Sequence, residues 1–153
     1  MSSLELKIPP LALLAIFIVD MLILRWLFPW PEFSFSTQQS ISIFLLSGGI
    51  LFPLLGFMAF QQASTTVHPQ RPDETKVLVR SGVYVYTRNP MYLGFLMILL
   101  ALAIYLGNLW SACMVPVFVW YMNQFQIIPE ERILTEKFGD DFRNYLTQTR
   151  RWL

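Results

Sequence analysis

The chain has 153 residues, of which 55% are hydrophobic and 14% are charged. Soluble domains carry about a quarter of charged residues, so this composition excludes an ordinary soluble domain and predicts a single-domain membrane protein. The net charge of +1 gives no indication of a nucleic-acid partner, and the lone Cys113 can form neither a disulfide framework nor a cysteine metal cluster.

Two long apolar stretches come first, at residues 9–28 and 41–60. Each is long enough to cross the hydrocarbon core of a bilayer, which takes about 20 helical residues. In the second stretch, Gly49 and Gly56 would lie on one helical face and allow a neighbouring helix to approach closely. Three titratable residues in and after these stretches receive no functional assignment: Asp20, Arg25 and His68.

The stretch 80–94, RSGVYVYTRNPMYLG, is the densest polar and aromatic segment of the chain. It lies where the charged loop 61–88 meets the next apolar stretch. Asn89-Pro90 is typical of a helix start, because asparagine can cap free N–H groups and proline has no N–H to leave unpaired. We therefore expect the Asn89 side chain to cap a helix that begins at Pro90 and whose N-terminus favours an anion.

The second half of the chain predicts a helical hairpin and an amphipathic tail. Apolar stretches 90–106 and 109–128 are separated only by Gly107-Asn108, so their helices must run antiparallel. After Pro129, which should break or kink the fourth helix, apolar residues recur at helical spacing, and Gly139 interrupts the pattern. Glu130 falls on the apolar face and needs a partner there, whereas Glu131 is turned about 100° away. The apolar face comprises Leu134, Phe138, Phe142 and Tyr145.

Lysine and arginine are concentrated after the second and fourth stretches and are absent from the other two connections. The positive-inside rule then places both termini and the loop 61–88 in the cytoplasm. The predicted fold is an all-α membrane bundle of about four transmembrane helices plus a C-terminal amphipathic cytoplasmic helix. Tyrosines, Asn89, a helix N-terminus and Glu130 would line a pocket on the cytoplasmic face. Phosphate-binding loops and the common hydrolase, dinucleotide and metal motifs are absent from the sequence.

Two blocks of the sequence, LVRSGVYVYTRNPMYLG and EERILTEKFGDDFRNY, with a terminal TRRWL, resemble the isoprenylcysteine carboxyl methyltransferase family and the wider group of phospholipid methyltransferases. The family pattern R-H-P-x-Y-x-G is met from Arg88 to Gly94, and E-E-x-x-L-x-x-x-F-G is met from Glu130 to Gly139. The resemblance covers about residues 65–153. It implies S-adenosylmethionine as cofactor, bound at the cytoplasmic face, and a lipophilic or membrane-embedded acceptor.

Three groups of site residues are predicted, of which the cofactor contacts are carried over position by position from the resemblance. The cofactor contacts would be Lys76, Val77, Leu78, Val79, Tyr84, Asn89, Pro90, Met91, Tyr92 and Glu130. The catalytic candidates are Arg88, Glu130 and Glu131, and Gln126 is the substrate candidate. No metal is implied.

Two departures from the family pattern bear on the substrate. Asn89 replaces the histidine of the family pattern. Gln126 stands where the resemblance to the eukaryotic prenylcysteine enzymes implies an arginine near the substrate carboxylate. Glutamine cannot neutralise a carboxylate, so the acceptor is expected to differ from prenylcysteine. The short chain is typical of a prokaryotic member, for which we expect a bacterial inner-membrane location.

The reaction expected from the resemblance is an in-line methyl transfer in which proximity and orientation supply most of the acceleration. A carboxylate acceptor needs no base and is favoured over an amine. Two alternatives remain at this stage: an NADPH-dependent membrane reductase, with Arg150-Arg151 placed for the 2′-phosphate, and a non-enzymatic membrane subunit with the same fold.

Overall fold

The computed structural model describes residues 5–63 and 77–153, and all regular structure in these two ranges is helical. The elements in chain order are α1 (Pro10–Leu27), α2 (Gln38–Gln62), a 3-10 turn (Gly82–Val85), α3 (Pro90–Leu106), α4 (Leu109–Met122), a π turn (Asn123–Ile127), α5 (Ile128–Phe138) and α6 (Asp140–Gln148). The predicted all-α class is confirmed for the described residues, and α2 begins three residues before the predicted Ile41.

Helices α1 and α2 are long and apolar enough to cross a membrane, with mean hydropathies of 2.1 and 2.2. A core helix of a soluble protein would be mostly buried, but only 28% and 17% of these two apolar windows are buried. The outward-facing residues include Trp26 and Phe44, which are 80% and 74% exposed. These apolar outer faces are suited to lipid, and α3 and α4 are shorter apolar helices of 17 and 14 residues.

Helices α2 and α3 pack against each other through glycines. A Cβ added at Gly94 would overlap the Pro53 ring and come within 2.8 Å of the Gly49 carbonyl oxygen. A Cβ at Gly56 would come within 3.1 Å of Pro90. Close packing at Gly49 and Gly56 is therefore confirmed, and it sets the start of α3 directly against the second half of α2.

The predicted hairpin turn is confirmed, and Asn108 fixes it. Gly107 adopts the left-handed conformation, with φ of 56°, and ends α3. The buried Asn108 side chain accepts a hydrogen bond from the Ser111 N–H at 3.0 Å and so caps α4. Its amide donates to the Phe28 carbonyl at 2.9 Å, which holds the α1–α2 connection against the hairpin.

The helix does not break at Pro129, because a π turn precedes it and α5 continues beyond it. Proline cannot donate to the carbonyl four residues back, which here belongs to Phe125. The Leu6 N–H donates to that carbonyl at 3.0 Å. The N-terminal segment thus satisfies the backbone acceptor that the proline leaves free.

Candidate functional site

Three polar side chains predicted for the site meet where α3 begins and α5 begins. The Tyr92 hydroxyl donates to Glu130 Oε1 at 2.5 Å, and the Gln126 amide donates to the same oxygen at 2.9 Å. Gln126 lies in the π turn, one helical turn before Glu130. The expectation that Glu130 needs a partner on the apolar face is confirmed.

The half-buried Glu130 carboxyl has an unusual protonation equilibrium. Burial raises its pKa from 4.5 to about 7, and the nearby Glu131 adds to the rise. The hydrogen bonds from Tyr92 and Gln126 favour the charged form and lower the pKa, but the cost of desolvating the carboxylate is the largest effect. Glu130 therefore exchanges a proton near neutral pH while keeping two donors aimed at one oxygen.

Tyr84 is a second buried tyrosine within electrostatic reach of this carboxyl. Its ring is buried against Phe60 at a centroid distance of 5.4 Å, and its backbone carbonyl accepts a 2.7 Å hydrogen bond from the Tyr145 hydroxyl. Burial raises the pKa of the Tyr84 hydroxyl, and the Tyr145 and Glu130 charges add to the effect. Tyr84 is thus a neutral aromatic residue within electrostatic reach of Glu130.

Glu131 faces a different set of partners, as its angular separation from Glu130 requires. One carboxylate oxygen accepts from Arg88 at 2.9 Å, and the carboxylate also receives two hydrogen bonds from Arg151, at 3.1 and 2.6 Å. The Arg88 guanidinium also donates to the carbonyls of Leu146 and Thr149 at 3.0 and 2.5 Å. In this structure Arg88 and Glu131 bind each other and the chain's own C-terminal region.

The prediction that the Asn89 side chain caps α3 is wrong. Asn89 precedes α3, and Pro90 begins the helix as predicted, but the Asn89 side chain makes no capping hydrogen bond. Its amide nitrogen instead donates to the Arg151 carbonyl at 2.9 Å, and its backbone N–H donates to the Thr87 hydroxyl at 3.1 Å. The Asn89 side chain therefore binds the C-terminal segment and does not cap the helix.

The remaining predicted cofactor residues are distributed around this cluster. Lys76 and His68 lie outside the described residues. Val79 is buried against Ala59 and Tyr84 near the end of α2, whereas Val77 is 48% exposed. Leu78 is half-buried, Pro90 is buried, and Met91 packs partly buried against the core. Val79 thus brings the end of the stretch 77–79 against α2 and the 3-10 turn.

Sequence reasoning missed the partners that the C-terminal segment supplies. Arg151 binds Glu131, and Thr87 is fully buried and forms a parallel bridge with Arg150. The signal in the sequence was the terminal TRRWL, which was part of the resemblance but was considered only as a 2′-phosphate site in the reductase alternative. Arg151 and Glu131 are 20 positions apart, and Asn89 and Arg151 are 62 apart; contacts at such separations leave no local periodicity from which to find them.

An apolar cavity of about 380 Å³ lies elsewhere, between α1, the first half of α2 and the second half of α3. It contains none of the predicted site residues, and its polar lining is limited to Gln39, Ser42 and Tyr105. A charged cofactor would find no charged side chain there, so the cluster around Glu130 is the candidate site.

Comparison with known proteins shows the family of the chain. The phospholipid methyltransferase family matches residues 37–141. The chain belongs to the phospholipid methyltransferase family. The matched range contains α2, α3, the π turn and α5, and hence Tyr92, Gln126 and Glu130.

Two relatives extend the comparison. A protein-S-isoprenylcysteine O-methyltransferase of Schizosaccharomyces pombe is 32% identical over 115 residues, which cover 74% of this chain and 48% of that protein. An uncharacterised protein of Haemophilus influenzae is 49% identical over 63 residues, which cover 41% of this chain and all of that protein. No solved structure matches the chain. The chain thus spans about half the length of its characterised relative, and the apolar helices and the family together indicate a membrane location.

Proposed function

We propose that the protein is an S-adenosylmethionine-dependent methyltransferase that acts on a lipophilic acceptor at the membrane surface. Membership of the phospholipid methyltransferase family carries this proposal, and the cluster of Tyr92, Gln126 and Glu130 supplies a site of suitable chemistry. When bound, the cofactor supplies a methyl group on a sulfonium sulfur, which keeps the electron pair of the broken bond.

The residues around Glu130 fit such a cofactor. Glu130 Oε1 is already held by Tyr92 and Gln126, so the second carboxylate oxygen is oriented and can accept hydrogen bonds from hydroxyl or ammonium groups. Tyr84 and Tyr92 place two buried aromatic rings within electrostatic reach of Glu130, and a sulfonium cation is attracted to the face of an aromatic ring. Burial raises the cost of leaving the Glu130 carboxylate without a cationic or hydrogen-bonding partner.

For the acceptor we favour a carboxylate, which would become a methyl ester. A carboxylate is already ionised, so its oxygen can attack the methyl carbon with no proton to remove. The printed name of the Schizosaccharomyces pombe relative describes O-methylation, which supports the same choice. An amine acceptor would lose a proton during transfer, and Glu130, with a pKa of about 7, would be the residue to receive it.

We further propose that four segments cross the bacterial inner membrane: α1, α2, α3, and α4 together with the π turn. Both termini and the site would lie on the cytoplasmic side. The exposed apolar faces of α1 and α2 and the distribution of positive charge support this arrangement. Fusion of a fluorescent reporter or of alkaline phosphatase to the C-terminus tests it in a bacterial host. A fluorescent, phosphatase-inactive C-terminus is expected, and the opposite pattern would reverse the orientation.

The reductase alternative is not favoured. It required the side chains of Arg150 and Arg151 to bind a 2′-phosphate together. The Nε and Nη2 atoms of Arg151 instead donate hydrogen bonds to the Glu131 carboxylate. The comparisons with methyltransferases also support a different reaction class.

The experiment uses purified protein in detergent with S-adenosylmethionine carrying a labelled methyl group. S-adenosylhomocysteine binding is measured first, for the wild type, Glu130→Gln and the control Glu136→Gln, whose carboxylate is exposed on the same helix. We expect binding by the wild type and the control, and a loss of affinity of at least tenfold in Glu130→Gln. No binding to folded wild-type protein would refute the proposal.

Acceptor classes are then compared with the same labelled cofactor. A prenylated or acylated carboxylate and an amine-bearing phospholipid are offered separately. Label released as methanol by alkali identifies an ester, whereas alkali-stable label on the phospholipid identifies N-methylation. The first result is expected, and the second would replace the carboxylate acceptor with an amine.

A further inference from the structure

Residues Thr149–Trp152, called here the TRRW segment, run alongside the start of α3. The Arg88 N–H donates to the Arg150 carbonyl at 3.0 Å, and the Asn89 side chain donates to the Arg151 carbonyl at 2.9 Å. These bonds attach the backbone of the TRRW segment to the two residues that precede Pro90. The segment is therefore fixed to the end of α3 that carries Tyr92.

Two side chains of the TRRW segment, those of Arg151 and Trp152, reach α5 and the π turn. The Arg151 guanidinium binds both oxygens of the Glu131 carboxylate, and the Trp152 indole N–H donates to Asn123 in the π turn at 3.2 Å. A two-point hydrogen bond between a guanidinium and a carboxylate fixes angle as well as distance. The TRRW segment thus connects α3 to both the π turn and α5.

This bridge matters because α5 packs little against α3 directly. The 2.5 Å bond between Tyr92 and Glu130 joins these two helices at the site itself. Glu131 is the next residue after Glu130, so a displacement of Glu131 moves Glu130 with it. The position of the Glu130 carboxyl relative to Tyr92 consequently depends on how firmly Glu131 is held.

We propose that Arg151 is a positioning residue for methyl transfer. By binding Glu131 it fixes the position of α5, and this position determines the distance between the Glu130 carboxyl and the Tyr92 side chain. The role rests on the proposed function of Glu130 as a cofactor ligand. Arg151 does not contact Glu130 itself, and it acts through the adjacent residue. Arg88, the other cation on Glu131, is attached mainly to carbonyls of the C-terminal region and cannot replace the two-point contact.

The test compares Arg151→Ala and Arg151→Lys with Arg150→Ala. The Arg150 side chain is exposed and carries the same charge one position away, so it controls for the loss of a cation near the site. We expect the dissociation constant of S-adenosylhomocysteine to rise about tenfold to hundredfold in Arg151→Ala, since small misplacements of site groups cost this much. Arg151→Lys keeps the charge but not the planar fork, so it should recover part of the affinity.

A double-mutant comparison separates positioning from loss of folded protein. A fall in the folded fraction lowers the amount of binding but leaves the dissociation constant unchanged. If Arg151 acts through Glu131, then Arg151→Ala should add no further loss in a Glu131→Gln background. An unchanged dissociation constant in folded Arg151→Ala, or an equal rise in Arg150→Ala, would overturn the role.

Hydrogen exchange provides a measurement that does not depend on the cofactor. Backbone amides of α5 should exchange faster in Arg151→Ala than in Arg150→Ala and the wild type. Unchanged exchange in α5 would overturn the positioning role even if the wild type binds the cofactor. If the wild type fails to bind but α5 still loses protection, then the proposed function fails and the structural link stands.

Discussion

Replacing Glu130 by glutamine should change how the stability of the protein depends on pH. In the folded protein the pKa of Glu130 is about 7, whereas a solvated glutamate carboxyl has its ordinary pKa of 4.5. Between these values the folded state binds more protons than the unfolded state, so the free energy of unfolding falls as the pH rises. Glutamine imitates the protonated acid in shape and charge and should remove this fall.

The size of the effect follows from the displacement of the pKa. A rise from 4.5 to about 7 corresponds to about 3 kcal/mol, because each pKa unit is worth about 1.4 kcal/mol. For a chain of this length, about 3 kcal/mol corresponds to roughly 6–12 °C in melting temperature. The wild type should therefore lose that much thermal stability between pH 4 and pH 8 relative to Glu130→Gln.

The assay is tryptophan fluorescence during heating, in one detergent and at several pH values. All other titratable groups are present in both proteins, so the difference between the two curves isolates Glu130. Glu136→Gln serves as the control because it removes an exposed carboxylate from the same helix. Parallel curves for the wild type and Glu130→Gln would refute the buried, proton-holding state of Glu130.

Two further substitutions test how the helices that carry the site are held together. Gly94→Ala should lower the free energy of unfolding by about 1–3 kcal/mol, because its Cβ would overlap the Pro53 ring and the Gly49 carbonyl, and overpacking costs this much; thermal melting measures it. Asn108→Ala should cost about 0.5–2 kcal/mol from the lost cap on the Ser111 N–H, measured as a shift in the denaturant midpoint.

Each of these substitutions has a matched control in the chain. At Gly48 an added Cβ meets only the flexible end of Met97, so Gly48→Ala should cost less than Gly94→Ala. Asn144 is exposed on α6, so Asn144→Ala should leave the midpoint almost unchanged. Equal effects within either pair would contradict the packing or the cap on which the prediction depends.

Local sequence patterns predicted the elements well, because they depend on neighbours in the chain. The helix that starts at Pro90, the turn at Gly107-Asn108 and the interruption at Gly139 all follow from backbone preferences of single residues. The interpretation of Glu130 also succeeded, since an acid on an apolar helical face requires a hydrogen-bond partner wherever it is buried.

Sequence patterns failed where a distant segment competed for a side chain. Asn89 has the local features of a helix cap, but the Arg151 carbonyl receives its amide instead. Gly139, with φ of 55°, separates α5 from α6, as the predicted interruption of the pattern required. The partner of Asn89 is not encoded in helical periodicity, because it depends on a tertiary contact.

The π turn before Pro129 determines the directions in which the side chains of α5 face. A π turn closes its hydrogen bond over one residue more than an α turn, as the bond from the Ile128 N–H to the Asn123 carbonyl shows. Removing the exposed Gln124 would restore an α turn and rotate α5 by about 100° about its axis. Glu130 would then face away from Tyr92, and a different side chain of α5 would face Tyr92. One inserted residue therefore determines which side of α5 the site contains.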